Sequence, residues 1–432
     1  AFHAGPAVII SFLIAGIVCG AAVMCYAEFA SMIPVAGSAY TFTYTTVGEI
    51  MAWIIGWDLI LEMLMAGSVI SKYWGVYLND FMRLMGWNAN TNLTFGSFHI
   101  DIAPIIIVAF FTTLLVFGTK IGARVDGAMT VLKIAIVFFV VIVGFFYVKA
   151  SNFTPFIPPS QPASTVEGSS AVTGVMTQPL WQFATGMTPS VYGVPGILSG
   201  AALVFFAFIG FDVVATASEE TKNPHKNVPL GIGVGMLLII VMYMLVAVVT
   251  TGMVSYADLA KQDSPSLATA FELVGADWAA KIISFGIVLG LATVVMVLLL
   301  GLTRIVFAMS RDGLLPRGLS KTGKHGTPAA LQIVVGAVVA LVAAFFDIGV
   351  LSDMVNIGTL SAFTLVAISI PIMRKKRPDL PRAFKMPGSP WIPILIAVAN
   401  FWLMLNLSVL TWIRFVVWLV VGFAIYFGYG YW

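Results

Sequence analysis

Charge is scarce in this 432-residue chain: Asp, Glu, Lys and Arg make up 9% of it, against 60% hydrophobic residues. That shortage excludes a soluble globular protein, because more than half of the residues would have to be kept from water. The composition, with a mean hydropathy of +1.00, reads as an all-α polytopic membrane protein. Histidine and cysteine are rare too. His3, His99, His225 and His325 are scattered without ligand spacing, so no metal centre is expected. Cys19 and Cys25 lie in one apolar segment on different helix faces and read as free core thiols, not as a disulfide framework. No glycine-rich phosphate loop is present, which argues against ATP-driven transport by this chain, and no nucleophile and base pattern suggests an enzyme. Nothing calls for a cofactor. A net charge of +3 is too small to imply a nucleic-acid partner. The opening AFHAGPAVII has no basic flank, so a cleavable signal peptide is not expected.

What is abundant is apolar sequence in bilayer-length pieces. A hydrocarbon core about 30 Å thick needs roughly 20 helical residues. Eleven stretches approach or exceed that length, near 6–30, 49–80, 102–120, 124–148, 197–217, 228–255, 276–309, 328–346, 350–373, 390–409 and 411–429. Lys and Arg collect on alternating sides of them. One side holds Lys120, Arg124, Lys222, Lys226, Arg311, Arg317, Lys321, Lys324 and the run RKKRPDLPRAFK from Arg374 to Lys385; the other has little beyond Arg83, Lys149, Lys261, Lys281 and Arg414. The positive-inside rule assigns the rich side to the cytoplasm, so residue 1 is expected outside and Trp432 inside. The loop 149–196, rich in Ser, Thr, Pro and Gly, reads as an extracellular excursion with little structure of its own. The triplet NLT at Asn92 fits a glycosylation acceptor, a pattern short enough to arise by chance.

Polar residues inside the spans carry the functional question. ALVFFAFIGFDVV, from Ala202, sets Gly210 and Asp212 in an apolar run. Non-helical backbone in a membrane is tolerated only where it is buried in protein or lines a wet cavity. A glycine-interrupted span is therefore a candidate broken helix whose freed carbonyls can hold a small zwitterion. Phe206, Ala207 and Ile209 would offer carbonyls to an ammonium group, and Phe211 would cover the site. The competing reading has Gly210 easing helix packing and Asp212 bonding a neighbouring helix. Lys133 lies midway through GAMTVLKIAIVFFVVIV. A central Lys costs about 3 kcal/mol on the insertion scale, and each Val, Ile or Phe offsets about 0.3–0.6, so the span inserts regardless. Lys133 is either a proton-responsive group or a static partner of a neighbouring acid or carbonyl. Asp58 and Glu62, four apart in WDLILEMLM, share one helix face; they either face a cavity or pair with adjacent helices. Glu28 and Glu49 flank ASMIPVAGS and are expected at the interface.

Three segments, FFAFIGFDVVATASEETKNPHKNVPLGI, YAEFASMIPVAGSAYTFTYTTVGEIMAWIIGWDLILE and TRIVFAMSRDGLLP, resemble the cationic amino acid transporter family of the amino acid, polyamine and organocation superfamily. The resemblance covers essentially the whole chain. It implies that superfamily's 5+5 inverted-repeat (LeuT-like) fold with extra C-terminal helices and a substrate site between two discontinuous helices. It implies that 1–148 is the remainder of the first repeat (family helices 2–5), 149–196 an extracellular loop, 197–373 the second repeat (helices 6–10), and 374–432 a cytoplasmic basic loop and helices 11–12. By the same resemblance, the carbonyls of Phe206, Ala207 and Ile209 beside Gly210 hold the substrate's amino group. Phe211 is an aromatic gate, Lys133 couples protons, and Glu62 is an acidic residue near the pocket. Asp212 is a second candidate pocket acid. The family's first helix, with its glycine-rich carboxylate site, is expected to be missing, since AFHAGPAVII resembles the start of the second.

The resulting expectation is secondary active transport of cationic or small neutral amino acids across the plasma membrane by alternating access, with proton symport. The expected partners are an amino acid, protons, the lipid bilayer and, unspecified, a small accessory membrane subunit. An amino-acid sensor that binds without transporting uses the same pocket and stays open. Glu62 and Asp212 favour arginine or lysine, whereas a pocket lined by Phe and Ile, with depth set around Met296 to Leu300, favours alanine.

Overall fold

A computed structural model of the chain describes residues 3–32, 38–46, 48–87, 91–95, 98–118, 122–165, 174–210, 223–262, 266–323, 326–379, 382 and 384–430. The chain is mostly helical. We number its principal helices α1 (Val8–Met32), α2 (Ser38–Thr46), α3 (Glu49–Leu84), α4 (Ile102–Phe117), α5 (Gly122–Phe145), α6 (Gly193–Val204), α7 (Pro224–Met253), α8 (Asp277–Arg311), α9 (Ala329–Phe345), α10 (Ile348–Lys376), α11 (Trp391–Leu405) and α12 (Val409–Ile425). Among the described residues, seven helices are long and apolar enough to cross a membrane, and four shorter apolar ones accompany them. Together they fall on the eleven stretches legible in the sequence, and the chain is a multi-pass membrane protein.

Helix α3 is the structural axis. It packs against α8, α10, α9, α4 and α2, and 78% of its most apolar window is buried, against 11% for α5. The enclosed helix is the less apolar of the two, with a mean hydropathy of 1.6 against 2.6, since a helix surrounded by protein can carry polar groups that lipid would not accept. A second group joins α1 to α6 and α7, and α5 packs on α7 and α8. Helix α12 docks on α3 through aromatics: Trp57 stacks on Trp418 with centroids 4.4 Å apart, and the Trp57 indole donates to the Trp418 carbonyl at 2.8 Å. Gly422 permits this approach, since a Cβ there would collide with the Trp57 ring.

Polar links tie the helix ends on both faces. On one face, an antiparallel hairpin of β1 (Asn92–Phe95) and β2 (Phe98–Asp101) brings Asp101 to 2.8 Å from Lys72, which also donates to the Ala343 carbonyl at 3.0 Å. Arg83 pairs with Glu272 at 2.9 Å. The loop 149–196 has more structure than expected. A short helix at Leu180–Thr185 sets Trp181 to donate to Asn406 at 2.9 Å, and Gln161–Pro162 pairs with Ser190–Val191.

On the opposite face, Tyr40 donates to Asp312 at 2.9 Å and Tyr426 to Glu49 at 2.8 Å. Glu28, expected at the interface, is fully enclosed by protein. Its carboxylate accepts from Arg374 Nε at 3.0 Å and Nη2 at 2.6 Å, and from the Met386 backbone N–H at 2.7 Å; Arg382 lies 3.6 Å away. The geometry follows from electrostatics: a carboxylate taken out of water needs both a counter-charge and filled lone pairs.

Candidate functional site

The α6 segment ends inside the protein. After Val204 the chain tightens into a 3-10 turn over Phe205–Phe208, Ile209 is extended at φ −73° and ψ 145°, and Gly210 has φ +117°. The helical path is thus lost by Gly210, at a backbone angle that disfavours residues with a Cβ; the second half that a broken helix would need, from Phe211 onward, lies outside the described residues. The break frees carbonyls that a continuous helix would have used, and neighbouring helices supply donors to them. Tyr243 of α7 donates to the Ala207 carbonyl at 2.6 Å. Asn356 of α10 donates to Leu203 at 3.4 Å, the Cys19 thiol of α1 to Phe208 at 3.8 Å, and the Ile209 N–H to Phe206 at 3.2 Å.

A cavity of about 700 Å³ opens beside the break. Its wall includes Phe206, Ala207, Ile209 and Gly210 from the interruption and Lys133 from α5. The structure thus brings together residues more than seventy positions apart in the chain. Ala66 and Ile70 of α3 and Val294, Val297 and Leu298 of α8 complete an apolar wall. Lys133 is the one charged side chain among the described lining residues. It is half-buried, and its stem rests on α8 where Gly290 leaves room: a Cβ there would meet Lys133 Cγ at 3.1 Å. Lys133 also borders a smaller apolar pocket of about 160 Å³ between α5, α7 and α8.

Glu62 does not line this cavity; it is fully buried on α3. Asp58, one turn earlier, is also buried and accepts from Ser361 of α10 at 2.7 Å, so the two acids share a face directed into protein. Phe211 and Asp212 lie outside the described residues. Of the proposed depth-setting range, Val297 and Leu298 reach the cavity. Sequence reasoning missed Tyr243 and Thr130, which also line it. Thr130 was accessible by spacing, three residues before Lys133 on the same helix face. Tyr243 gave no such signal, because its role depends on α7 crossing the break.

A family profile described as amino acid permease matches residues 1–428. The branched-chain amino acid permease BcaP of Bacillus subtilis (strain 168) is 43% identical, over 99% of this chain and 87% of that protein. The methylthioribose transporter of the same organism is 39% identical, over 99% and 86%. Cationic amino acid transporter 3, mitochondrial, of Arabidopsis thaliana is 37% identical over 86% of this chain and 57% of its own length.

Proposed function

The chain belongs to the amino acid permease family, and on that premise we propose that it is a secondary active transporter moving amino acids across the plasma membrane by alternating access, coupled to protons. Membership of a permease family makes it a transporter family member and not an enzyme. The observation that carries the reading is the convergence of the α6 break and Lys133 on one cavity. Backbone carbonyls at an unwound segment suit an ammonium group. The Ile209 carbonyl is directed by an extended residue, and that of Ala207 is reachable if the Tyr243 hydroxyl shifts or shares it. Lys133, the one charged side chain among the described lining residues, is the candidate for protonation-linked movement, because an ionisable group inside a membrane span has a function or a partner. Phe211 is the proposed gate, and Glu62 acts on the site through α3 packing rather than by touching substrate.

In this reading 1–148 is the remainder of the first repeat and 197–373 the second, inverted one, 149–196 is the extracellular loop, and 374–432 carries the cytoplasmic basic loop and two added helices. Topology from the charge bias puts the C-terminus in the cytoplasm. The apolar wall supports a neutral amino acid with an aliphatic side chain, since a cationic one would meet Lys133 without an acid among the described lining residues. The name of the branched-chain permease agrees with that choice; the name of the Arabidopsis relative favours the cationic reading.

Purified protein in liposomes, loaded with unlabelled leucine, is expected to accumulate labelled leucine by counterflow, with arginine and methylthioribose as competitors. Leucine binding without exchange would make the protein a sensor. Exchange of arginine in preference to leucine would reverse the substrate assignment. An inward proton gradient is expected to stimulate uptake by the native chain, and Lys133→Ala to remove that stimulation; an unchanged gradient response would take the coupling role from Lys133.

A further inference from the structure

The segment joining α10 to α11 carries six cations, Arg374, Lys375, Lys376, Arg377, Arg382 and Lys385, against one acid, Asp379. Their surroundings divide them. Arg374 and Arg382 are turned inward: both approach the buried Glu28 carboxylate, Arg374 also donates to the Met386 carbonyl at 2.8 Å, and Arg382 to the Arg377 carbonyl at 2.7 Å. These bonds, with the Met386 N–H on Glu28, hold the segment against the end of α1. Arg377 and Asp379 face each other at 3.4 Å. Lys375, Lys376, Arg377 and Lys385 remain exposed.

The cations lie at the level where apolar sequence resumes. Trp391, the first residue of α11, is 73% exposed, and Leu395, one turn further, is 66% exposed. A bare tryptophan at the start of an apolar helix marks the headgroup boundary, so the lysines sit beside the phosphates while Trp391 and Leu395 face glycerol and acyl chains. A juxtamembrane basic cluster attracts anionic lipid with a strength that grows with each cation, and a clamped segment loses little freedom when it binds. We propose that the α10–α11 segment and the first turn of α11 form a binding site for an anionic phospholipid of the adjacent leaflet. The headgroup phosphate lies among Lys375, Lys376 and Lys385, and the chains lie along Trp391 and Leu395. The excess of Lys and Arg on this face makes that leaflet the cytoplasmic one. This inference does not depend on what the protein transports.

The test is native mass spectrometry of the full chain released from micelles holding equal phosphatidylglycerol and phosphatidylcholine. The native chain is expected to retain phosphatidylglycerol preferentially. Loss of each lysine should weaken that lipid about five-fold, so K375Q/K376Q/K385Q should lower the preference by about a hundred-fold. The variant K149Q/K261Q/K281Q, altered at exposed lysines of the opposite face, should keep it, and glycerol phosphate at equal concentration should not displace the lipid. Equal losses in the two triple variants, an unchanged preference in the first, or displacement by glycerol phosphate would each overturn the proposal. All six substitutions replace exposed side chains, so melting temperatures close to the native value are expected and serve as the check on folding.

Discussion

Replacing Glu28 tests whether an enclosed ion pair fixes the packing of α1 against α10. Glu28→Ala removes a fully buried carboxylate and strands three groups at once: Arg374, Arg382 and the Met386 N–H. Breaking a buried pair by removing one member costs about 3–5 kcal/mol. The Arg374 side chain is 26% exposed and can turn partly to water, whereas that of Arg382 is 7% exposed and cannot. The lower end of the range, about 3 kcal/mol, or about two orders of magnitude in the folding equilibrium, is therefore expected. Glu28→Gln keeps shape and part of the hydrogen bonding and should cost less. The assay is reversible unfolding in mixed micelles, run as a double-mutant cycle of Glu28→Gln with Arg374→Met. A coupling above about 1 kcal/mol supports the clamp, because residues in direct contact do not act independently. Additivity within about 0.5 kcal/mol would refute it.

Two glycines of the cavity wall should respond in opposite directions. Gly210 has φ +117° and, among the described residues, open space around a built Cβ, so Gly210→Ala is expected to cost about 1–3 kcal/mol through backbone strain and to lower leucine uptake. Gly231 lies in helix α7 with equally open space; Gly231→Ala should gain up to about 1 kcal/mol from helix propensity. Melting curves of the two variants decide this. Tyr243→Phe removes the donor to the Ala207 carbonyl while keeping the ring that meets Phe208 edge-on at 5.2 Å; the folded protein should persist, with a changed KM for uptake. Asp101→Asn leaves Lys72 with the Ala343 carbonyl but no carboxylate at 2.8 Å, and should destabilise by about 1–3 kcal/mol in the same unfolding assay.

Much of the architecture is written in the order of residues because the bilayer is a severe solvent. Backbone groups in hydrocarbon must bond within their own segment, so a run of about 20 apolar residues has one outcome, and the eleven stretches became helices. The end of α6 was half legible: a glycine inside such a run, followed by an acid and a burst of charge, fits either an interruption or a close helix contact, and the described backbone leaves the helical path by Gly210. Lys133 was legible as an oddity, since its cost in hydrocarbon requires a function or a partner.

What the order of residues left undecided is which faces meet. Hydropathy marks both α3 and α5 as long enough and apolar enough to cross a membrane, yet one is the enclosed axis and the other lies at the edge, because lipid and protein are equally good solvents for Val, Ile and Phe. Glu28 and Arg374 are 346 positions apart, and only the packing of α1 on α10 encloses that carboxylate in protein. Glu62 shares a face of α3 with the wall residues Ala66 and Ile70, and its place one turn before Ala66 along the helix axis sets it beyond the described lining, while Tyr243, which no local pattern marks, reaches the Ala207 carbonyl. Apolar length fixed the number and place of the helices; the rotation and crossing of each against its neighbours, set by side-chain fit and by pairing of the few polar groups, decided which residues line the cavity.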